Sequence, residues 1–318
     1  MNNHPQQQYR QIHHIYPAPR PHWVGNGFLV NPMFSHMAGD KRTDPFLMLD
    51  YAAPHTYQPN HSDPRGVGQH PHKGFETVTI AYQGEVAHRD SSGGGGVIKT
   101  GDVQWMTAGS GVLHEEFHSL EFSEAGGAFE MVQLWVNLPA KNKAVAARYQ
   151  HLVNEHIPVV TLKNDQSEQD ETAGTARLIA GEFIAQAERI KGLGTTFTPI
   201  NLWDIEVHAN QSVTLDIPKT HNLLLLVMRG EVVINSDDSR TVSEKQLVTF
   251  AQESAAAGVD LLRLRALNHD AKVLLMSGEP INEPIVGYGP FVMNSDAEIR
   301  QAILDFNAGK FGSMSATA

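Results

Sequence analysis

The sequence predicts an all-β protein made of two antiparallel domains, each a β-sandwich or β-barrel, with a short C-terminal helix. Short runs rich in β-branched and aromatic residues recur at regular spacing, and glycine-containing turns separate them. The chain has 318 residues, which is enough for about two domains. A weak internal repeat points the same way, because Tyr82-Gln-Gly-Glu-Val86 resembles Met228-Arg-Gly-Glu-Val232.

The clearest strand covers residues 75–82, a run of β-branched and aromatic side chains that ends at the Gln83-Gly84 turn. The chain then returns through residues 85–90. Further strands are predicted at residues 28–30, 46–49, 97–99, 103–107, 112–117 and 127–138 of the first half, and at 195–207, 212–217, 223–228, 231–235, 247–250 and 273–277 of the second.

Domain boundaries follow from the segments without a strand pattern. We expect domains at residues 1–140 and 151–318, joined by a linker at 141–150. Residues 1–11 form a polar, mobile leader, while 54–68 and 164–175 are loops. The C-terminal helix begins at the capping box Ser295-Asp-Ala-Glu298 and ends at Gly309. Its apolar stripe consists of Ile299, Ala302, Ile303 and Phe306.

Composition excludes several kinds of protein. With 24 basic and 35 acidic residues the net charge is −11, which argues against direct binding to nucleic acid. The absence of cysteine excludes disulfides, thiolate-zinc sites, iron–sulfur clusters and a cysteine nucleophile. Neither a secretion signal nor a run of the ~20 apolar residues needed to cross a membrane is found. We therefore expect a cytoplasmic protein without membrane contact.

The histidines are concentrated in the first domain. Twelve of the 17 lie within the first 118 residues, so a metal site is expected there and not in the second half. A lone histidine carries no ligand geometry, and only a cluster with the right spacing points to a metal. With sulfur ligands excluded, imidazole and carboxylate groups are the candidates.

Two pairs of candidate ligands have strand spacing. Residues at positions i and i+2 share one face of a strand, so His70 and His72 face together, as do His114 and Glu116. Three imidazoles and one carboxylate suit a divalent metal such as Fe(II), Mn(II), Ni(II), Cu(II) or Zn(II). Four ligands in a six-coordinate shell leave two positions for substrate, dioxygen or water. The alternative is that both patterns arise by chance on exposed strands.

His70-Pro-His72 begins the clearest strand, and Glu76 has the same parity, so we expect Glu76 to face the same way. Two interpretations stay open for this carboxylate. It lies in the second shell of the metal or in the pocket wall, or it is a buried group hydrogen-bonded to the backbone or to Arg89.

The spacing of these residues resembles the cupin motifs. Gly101-x5-Thr107-x-Gly109-x4-His114 follows the second cupin motif, with Thr107 in place of proline and a slightly longer gap to the histidine. His70-x-His72-x3-Glu76 matches the centre of the first motif.

Longer blocks are similar to the pirin family and together span most of the chain. The central blocks are His70-Pro-His-Lys-Gly-Phe-Glu-Thr-Val78, His88-Arg-Asp90, Gly101-Asp-Val-Gln-Trp-Met-Thr-Ala-Gly109 and His114-x-Glu116. The flanking blocks are Pro45-Phe-Leu-Met-Leu-Asp50, Gln133-Leu-Trp-Val-Asn-Leu138 and Gly287-x-Gly-Pro-Phe-Val-Met-Asn294. Lys73 stands where arginine is common, and this departure touches no ligand.

This resemblance implies a bicupin, with two antiparallel β-barrel (cupin) domains and a metal only in the first. The implied ligands are His70, His72, His114 and Glu116, and the implied metal is Fe(II), with Mn, Ni, Cu or Zn as alternatives. The second barrel would then lack a metal site, in agreement with its few histidines.

Three functions follow from the resemblance. Several bacterial pirins resemble quercetin 2,3-dioxygenases, which implies a flavonol-type substrate, O2, and Glu116 as the candidate base. Animal pirins are iron-dependent transcription coregulators, which implies a protein partner such as a transcription factor or metabolic enzyme. In the third interpretation the metal is only structural. We favour the enzyme because a site with open positions suits chemistry better than scaffolding.

Overall fold

The computed structural model describes residues 8–167, 169, 171–185, 188–235, 240–252 and 258–314. In the first half of the chain the strands are β1 Ile12–Tyr16, β2 His22–Val24, β3 Phe28–Ser35, β4 Phe46–Tyr57, β5 Gly66–His72, β6 Phe75–Gln83, β7 Val86–Asp90, β8 Gly95–Ile98, β9 Val103–Thr107, β10 Val112–His118, β11 Gly127–Asn137 and β12 Arg148–Leu152.

The second half continues with β13 Val159–Lys163, β14 Thr172–Ala180, β15 Glu182–Ala185, β16 Glu188–Lys191, β17 Ile200–Val207, β18 Ser212–Pro218, β19 Asn222–Arg229, β20 Val232–Ile234, β21 Thr241–Val242, β22 Leu247–Phe250, β23 Val259–Ala266, β24 Ala271–Gly278, β25 Val286–Tyr288 and β26 Phe291–Met293. The α-helices are α1 Leu120–Ala125 and α2 Asp296–Asn307, and short 3-10 turns lie at His36–Ala38, Lys41–Thr43, Ala140–Asn142 and Asn154–His156.

Each half of the chain forms most of one compact unit. The N-terminal segment, however, belongs to the unit formed by the second half, and the C-terminal segment belongs to the unit formed by the first half. The first unit contains residues 19–40, 45–156 and 281–314, and the second contains the described residues of 8–18, 41–44 and 157–280. The continuous boundaries predicted from sequence therefore differ from these units at both ends. Residues 141–150, predicted as a linker, lie within the first unit, where β12 pairs with β9.

Both units have the same arrangement of two antiparallel sheets. The first unit contains a seven-stranded sheet and a four-stranded sheet. Their strand orders are β12-β9-β6-β11-β4-β3-β2 and β5-β10-β7-β8. In the second unit the seven-stranded sheet is β1-β22-β19-β24-β17-β14-β13 and the four-stranded sheet is β18-β23-β20-β21. The two β domains expected from the internal repeat are confirmed, and Gly84 and Gly230 of that repeat both have positive φ, 77° and 72°.

The two predicted antiparallel cupin domains are confirmed, and each unit is a cupin-like β-sandwich, not a closed barrel. Among the described strands, no ladder joins the seven-stranded sheet to the four-stranded one in either unit. Closure depends on whether edge strands hydrogen-bond to each other, which alternation of residues along one strand does not reveal.

Several predicted boundaries shift, because strand pairing and not composition sets where each strand begins and ends. β4 runs to Tyr57 and β5 begins at Gly66, so the predicted loop at 54–68 shrinks from both ends. The predicted strand at 195–207 begins only at Ile200. In the predicted loop at 164–175, β14 already begins at Thr172, and residues 168 and 170 lie outside the described residues.

The predicted mobile leader is also wrong for its described part. Tyr9 forms a β-bridge to Leu261, and Arg10 is fully buried beside Asp260. Residues 1–7 of the leader lie outside the described residues. The polar composition of this segment gave no sign that Arg10 forms an ion pair with Asp260, about 250 positions away along the chain.

The C-terminal helix is confirmed. The hydroxyl oxygen of Ser295 accepts a hydrogen bond from the Glu298 N–H, and Gly309 follows the helix with a φ of 73°. Ile299 and Ala302 of the predicted apolar stripe are buried, whereas Phe306 is 39% exposed. None of the helices in the described part of the chain is long and apolar enough to span a membrane.

Candidate metal centre

Three adjacent strands of the first unit carry the candidate ligands. β10 lies between β5 and β7 in the four-stranded sheet. His114 of β10 stands opposite His70 of β5 and opposite Asp90 of β7. Two residues further along β10, Glu116 stands opposite His88. The two pairs of candidate ligands therefore lie on neighbouring strands, β5 and β10.

The sequence pattern places the His70-Pro-His72 motif at the start of β6. In the structure the motif instead lies at the end of β5. Gly74 breaks the chain between the two strands with a φ of 90°, and a Cβ there would overlap the Val292 carbonyl oxygen. At this break the chain passes from the four-stranded sheet to the seven-stranded sheet. The face shared by His70 and His72 therefore does not continue into β6.

Three imidazoles converge on one point. Their candidate ligand atoms all lie within 4.8 Å of one another in the group His70, His72 and His114. The closest approach is 2.8 Å, between Nε2 of His70 and Nε2 of His114. His72 and His114 are buried, while His70 is partly open to solvent. The cluster thus has a buried side and an accessible side.

Hydrogen bonds fix the tautomer of His70. Its Nδ1 lies 2.8 Å from the Gly68 carbonyl oxygen and must donate to it, because a carbonyl only accepts. The lone pair of His70 is then on Nε2, the atom that faces His114. A metal-ligating histidine usually donates its other ring N–H to a backbone carbonyl in this way.

Behind His114 lies a buried chain of polar groups that sequence reasoning missed. His88 Nε2 is 3.4 Å from Asp90 Oδ2 and donates to it, so His88 Nδ1 is an acceptor. That atom lies 3.4 Å from His114 Nδ1 and 3.1 Å from the Gln104 amide nitrogen. His88 Nδ1 has one lone pair, which the Gln104 amide and the His114 Nδ1–H share, and in this arrangement the lone pair of His114 is on Nε2, toward His70.

Asp90 is held as a carboxylate at the end of this chain. Burial acts to raise the pKa of Asp90, but hydrogen bonds from His88, Ser92 and Gly94 outweigh it and lower the pKa to about 2. The i, i+2 spacing of His88 and Asp90 was visible in the sequence. This spacing could have indicated that His88 and Asp90 act together, but only the pairing of β7 with β10 places His88 beside His114.

Glu116 lies with His114 and His88 in a second, overlapping group of candidate ligands. Its Oε1 is 3.1 Å from the Thr79 hydroxyl oxygen, which is also 3.0 Å from Gln133 Oε1. Thr79 and Gln133 are buried and come from the seven-stranded sheet. In this arrangement Glu116 reaches His114, but it is not among the group formed with His70 and His72.

Glu76 does not face the site. Thr79 contacts Glu116 across the two sheets, and Glu76 has the opposite parity along β6, so its side chain lies on the other face of the seven-stranded sheet. There its Oε1 accepts a hydrogen bond of 2.7 Å from Thr107 and lies 3.8 Å from Arg148 Nη2. The suggested partner Arg89 is wrong, since Arg89 pairs with Glu115.

Burial raises the pKa of Glu76 to about 7, against the hydrogen bonds from Thr107 and Trp105. Because the folded pKa lies above the ordinary value of 4.5 for a glutamate, folding favours the protonated form. This contribution is complete below the unfolded pKa and is lost as the pH rises toward 7.

We therefore expect Glu76→Gln to stabilise the protein at pH values of about 8 by up to about 3 kcal/mol and to change little at about pH 4. Urea unfolding of both proteins across this range would measure the difference. The exposed Glu124→Gln provides the control, with no such trend. A Glu76→Gln difference that is constant with pH would contradict the raised pKa.

The residues present fit a metal ion. Burial lowers the pKa of His72 and of His114 well below the usual value, so both rings are neutral and offer a lone pair. Among the described residues, buried Nδ1 of His72 has no hydrogen-bond partner of standard geometry, and the Pro290 carbonyl lies near the ring. The 2.8 Å between the two Nε2 atoms is close to the ~3 Å expected for neighbouring imidazoles on one octahedral ion, with each bond about 2.1 Å long.

We expect His88→Leu to lower metal affinity about 10- to 100-fold while leaving the fold intact, because His114 loses the acceptor that orients its ring. Competition with a chromophoric chelator would measure the affinity. His118→Leu is the matched control, since His118 is equally buried but bonds to the Gly27 carbonyl. Equal affinities for the two variants would mean that His88 has no orienting role.

Comparison with known proteins gives this arrangement a family. The pirin family model matches residues 27–136, and the model described as "Pirin C-terminal cupin domain" matches residues 202–312. The chain is 47% identical over 297 residues to a Pseudomonas aeruginosa protein named "Putative quercetin 2,3-dioxygenase", covering 93% of this chain and 96% of that one. The chain belongs to the pirin family.

Two further relatives agree with this membership. A pirin-like protein from Solanum lycopersicum is 37% identical over 269 residues, with 85% of this chain and 82% of that protein covered. A crystal structure titled as quercetin 2,3-dioxygenase from Acinetobacter baumannii is 50% identical, with a TM-score of 0.86 and coverage of 96% and 100% of the two chains. The two cupin domains of this pirin-family chain are thus found together in a solved relative.

Proposed function

We propose that the chain is a metal-dependent dioxygenase that acts on flavonol-type substrates with O2. The observation that carries the proposal is the convergence of His70, His72 and His114 beside Glu116 on the β5-β10-β7 sheet. The names of the relatives from P. aeruginosa and A. baumannii support the substrate class.

In this proposal His70, His72, His114 and Glu116 hold one divalent ion, with Fe(II) expected and Mn, Ni, Cu or Zn as alternatives. The ion supplies Lewis acidity toward the 3-hydroxyl of the substrate and contact with O2. Three imidazoles and one carboxylate would leave one positive charge of a divalent ion uncompensated, which would favour binding of an anionic substrate oxygen.

Glu116 is the proposed base. A carboxylate beside the bound 3-hydroxyl can accept its proton on the oxygen that now lies 3.1 Å from the Thr79 hydroxyl. The Thr79 hydroxyl then holds the carboxylate in place, and burial shields it from competing water.

An aromatic wall on the accessible side would receive the flat substrate. The Trp135 ring lies 5.2 Å from the His72 ring and 4.2 Å from the Phe75 ring, measured between centroids. Trp135 is partly exposed and Phe75 is buried, so the indole presents an apolar face next to the imidazoles. Stacking on such a face orients an aromatic ring and excludes water.

The test is a quercetin assay started anaerobically and then exposed to O2, using protein loaded with Fe(II) and analysed for metal content. We expect Glu116→Gln to lower kcat at least 100-fold while the protein keeps most of its metal. Glu115→Gln is the matched control, since Glu115 lies on the opposite face of β10 and pairs with Arg89. Metal-loaded wild-type protein that consumes no quercetin would refute the substrate class.

A further inference from the structure

A cavity of about 770 Å³ lies in the second unit, which contains none of the candidate metal ligands. It is enclosed by strands β15, β16, β17 and β18 and by residues 196–199. Small-molecule sites typically occupy about 300–1,000 Å³, so the volume suits a ligand of two or three rings.

Three aromatic side chains line the cavity beside aliphatic residues such as Ile200, Leu215 and Val259. Phe183 and Trp203 form an edge-to-face pair with centroids 5.2 Å apart, and Phe197 also lines the cavity. Ile184 lines it as well and is 56% exposed, which places this residue where the cavity meets solvent. Such a lining favours a flat aromatic ligand.

The polar part is a chain of hydrogen bonds that fixes the orientation of each member. The Glu182 backbone N–H donates to Asn201 Oδ1 over 3.0 Å, so the other amide atom of Asn201 is the donor. That atom, Nδ2, donates to the Ser277 hydroxyl oxygen over 3.2 Å. The Ser277 hydroxyl hydrogen then points to Nδ1 of His221, 3.2 Å away.

His221 consequently presents an N–H donor to the cavity. Burial lowers the pKa of His221 to about 4, helped by the positive charge of Arg10, so the ring is neutral. With Nδ1 accepting from Ser277, its one proton is on Nε2. Within the described part of the chain Nε2 has no hydrogen-bond partner, although His221 is only 6% exposed and lines the cavity.

The charged groups around the cavity balance, which favours an uncharged ligand. Glu182 pairs with both Arg189 and Lys191, and Asp216 adds a second negative charge. A neutral hydrogen-bond acceptor is therefore the group that matches the His221 N–H.

We propose that this cavity binds an uncharged aromatic carbonyl compound, whose ring packs against Phe183 and Trp203 and whose carbonyl oxygen accepts from His221 Nε2. The site is independent of the metal, because all its lining residues belong to the second unit.

The probe is 4-hydroxybenzophenone, an aromatic ketone that also cross-links on irradiation. We expect it to bind the full-length chain with the same affinity with and without EDTA, and to label peptides that line the cavity. Its carbonyl-free analogue, 4-benzylphenol, should bind wild-type protein about tenfold more weakly, the effect of one hydrogen bond of about 1.4 kcal/mol. Calorimetry at about pH 6 keeps both phenols uncharged.

Two exposed positions provide matched variants. Ile184→Asp places a charge where the cavity meets solvent and should weaken binding at least tenfold, whereas Val159→Asp, at a residue that is 60% exposed outside the cavity, should not. His221→Leu should bind the ketone and the analogue equally. Labelling confined to the first unit, equal affinity of wild-type protein for both probes, or binding unaffected by Ile184→Asp would overturn the proposal.

Discussion

Replacing His114 by alanine is expected to abolish metal binding, with the metal content falling from about one ion per chain to less than a tenth. His114 is the one residue shared by both groups of candidate ligands among the described residues. Its Nε2 faces His70, and its Nδ1 faces the chain formed by His88 and Asp90. Truncation therefore removes a ligand and the link to its orienting groups together.

Metal analysis of protein purified after loading with Fe(II) measures this effect. His61→Ala is the control, because His61 is exposed and belongs to neither group. Circular dichroism of both variants shows whether the fold is retained, since each unit keeps its apolar core. A His114→Ala protein that retains a full equivalent of tightly bound metal would refute the proposed centre.

Replacing Arg10 by methionine is expected to destabilise the second unit by about 3–5 kcal/mol. The Arg10 guanidinium is fully buried, with Nε 2.9 Å from Asp260 Oδ2. It also donates to the backbone carbonyls of His221 and Pro218, both over 2.9 Å. The variant leaves a buried carboxylate without its main counter-charge and removes one donor from each of two carbonyls, although Pro218 still accepts from the His221 N–H. Lys219, at 3.6 Å from Asp260, compensates only in part.

Amide hydrogen exchange in β22 and β19 would report the free energy of opening of this unit. Lys191→Met removes a surface ion pair with Glu182 and should cost less than about 1 kcal/mol. The double variant Arg10→Met, Asp260→Leu should recover much of the loss, because no buried charge is then unpaired. A single variant as stable as wild type would mean that the N-terminal segment does not anchor the unit.

Much of the fold was predictable because it depends on local pattern. Alternating β-branched residues located the central strands, and the repeat at Gly84 and Gly230 revealed two similar domains. The capping box at Ser295 gave the start of α2 because its hydrogen bonds are between near neighbours in sequence. The sequence did not reveal that the N-terminal segment belongs to the second unit, since Arg10 contacts Asp260 only in the folded protein.

The candidate site divides in the same way. Spacing alone put His70 with His72, and His114 with Glu116, because the period of a strand is two residues. It failed at Glu76, where Gly74 ends one strand and the next begins in another sheet. A regulatory role with a protein partner and a cytoplasmic location stay predictions from the sequence.

By itself the sequence determined an all-β chain with one histidine-rich half, the two ligand pairs and the pirin resemblance. Only the tertiary structure decided that His88 and Asp90 stand behind His114, that Glu76 faces away, and that His221 lines a cavity in the second unit. The physical reason is that periodicity sets which face of its own strand a residue occupies. Which strand lies alongside, and which sheet faces it, depends on pairings between distant segments that no local pattern encodes.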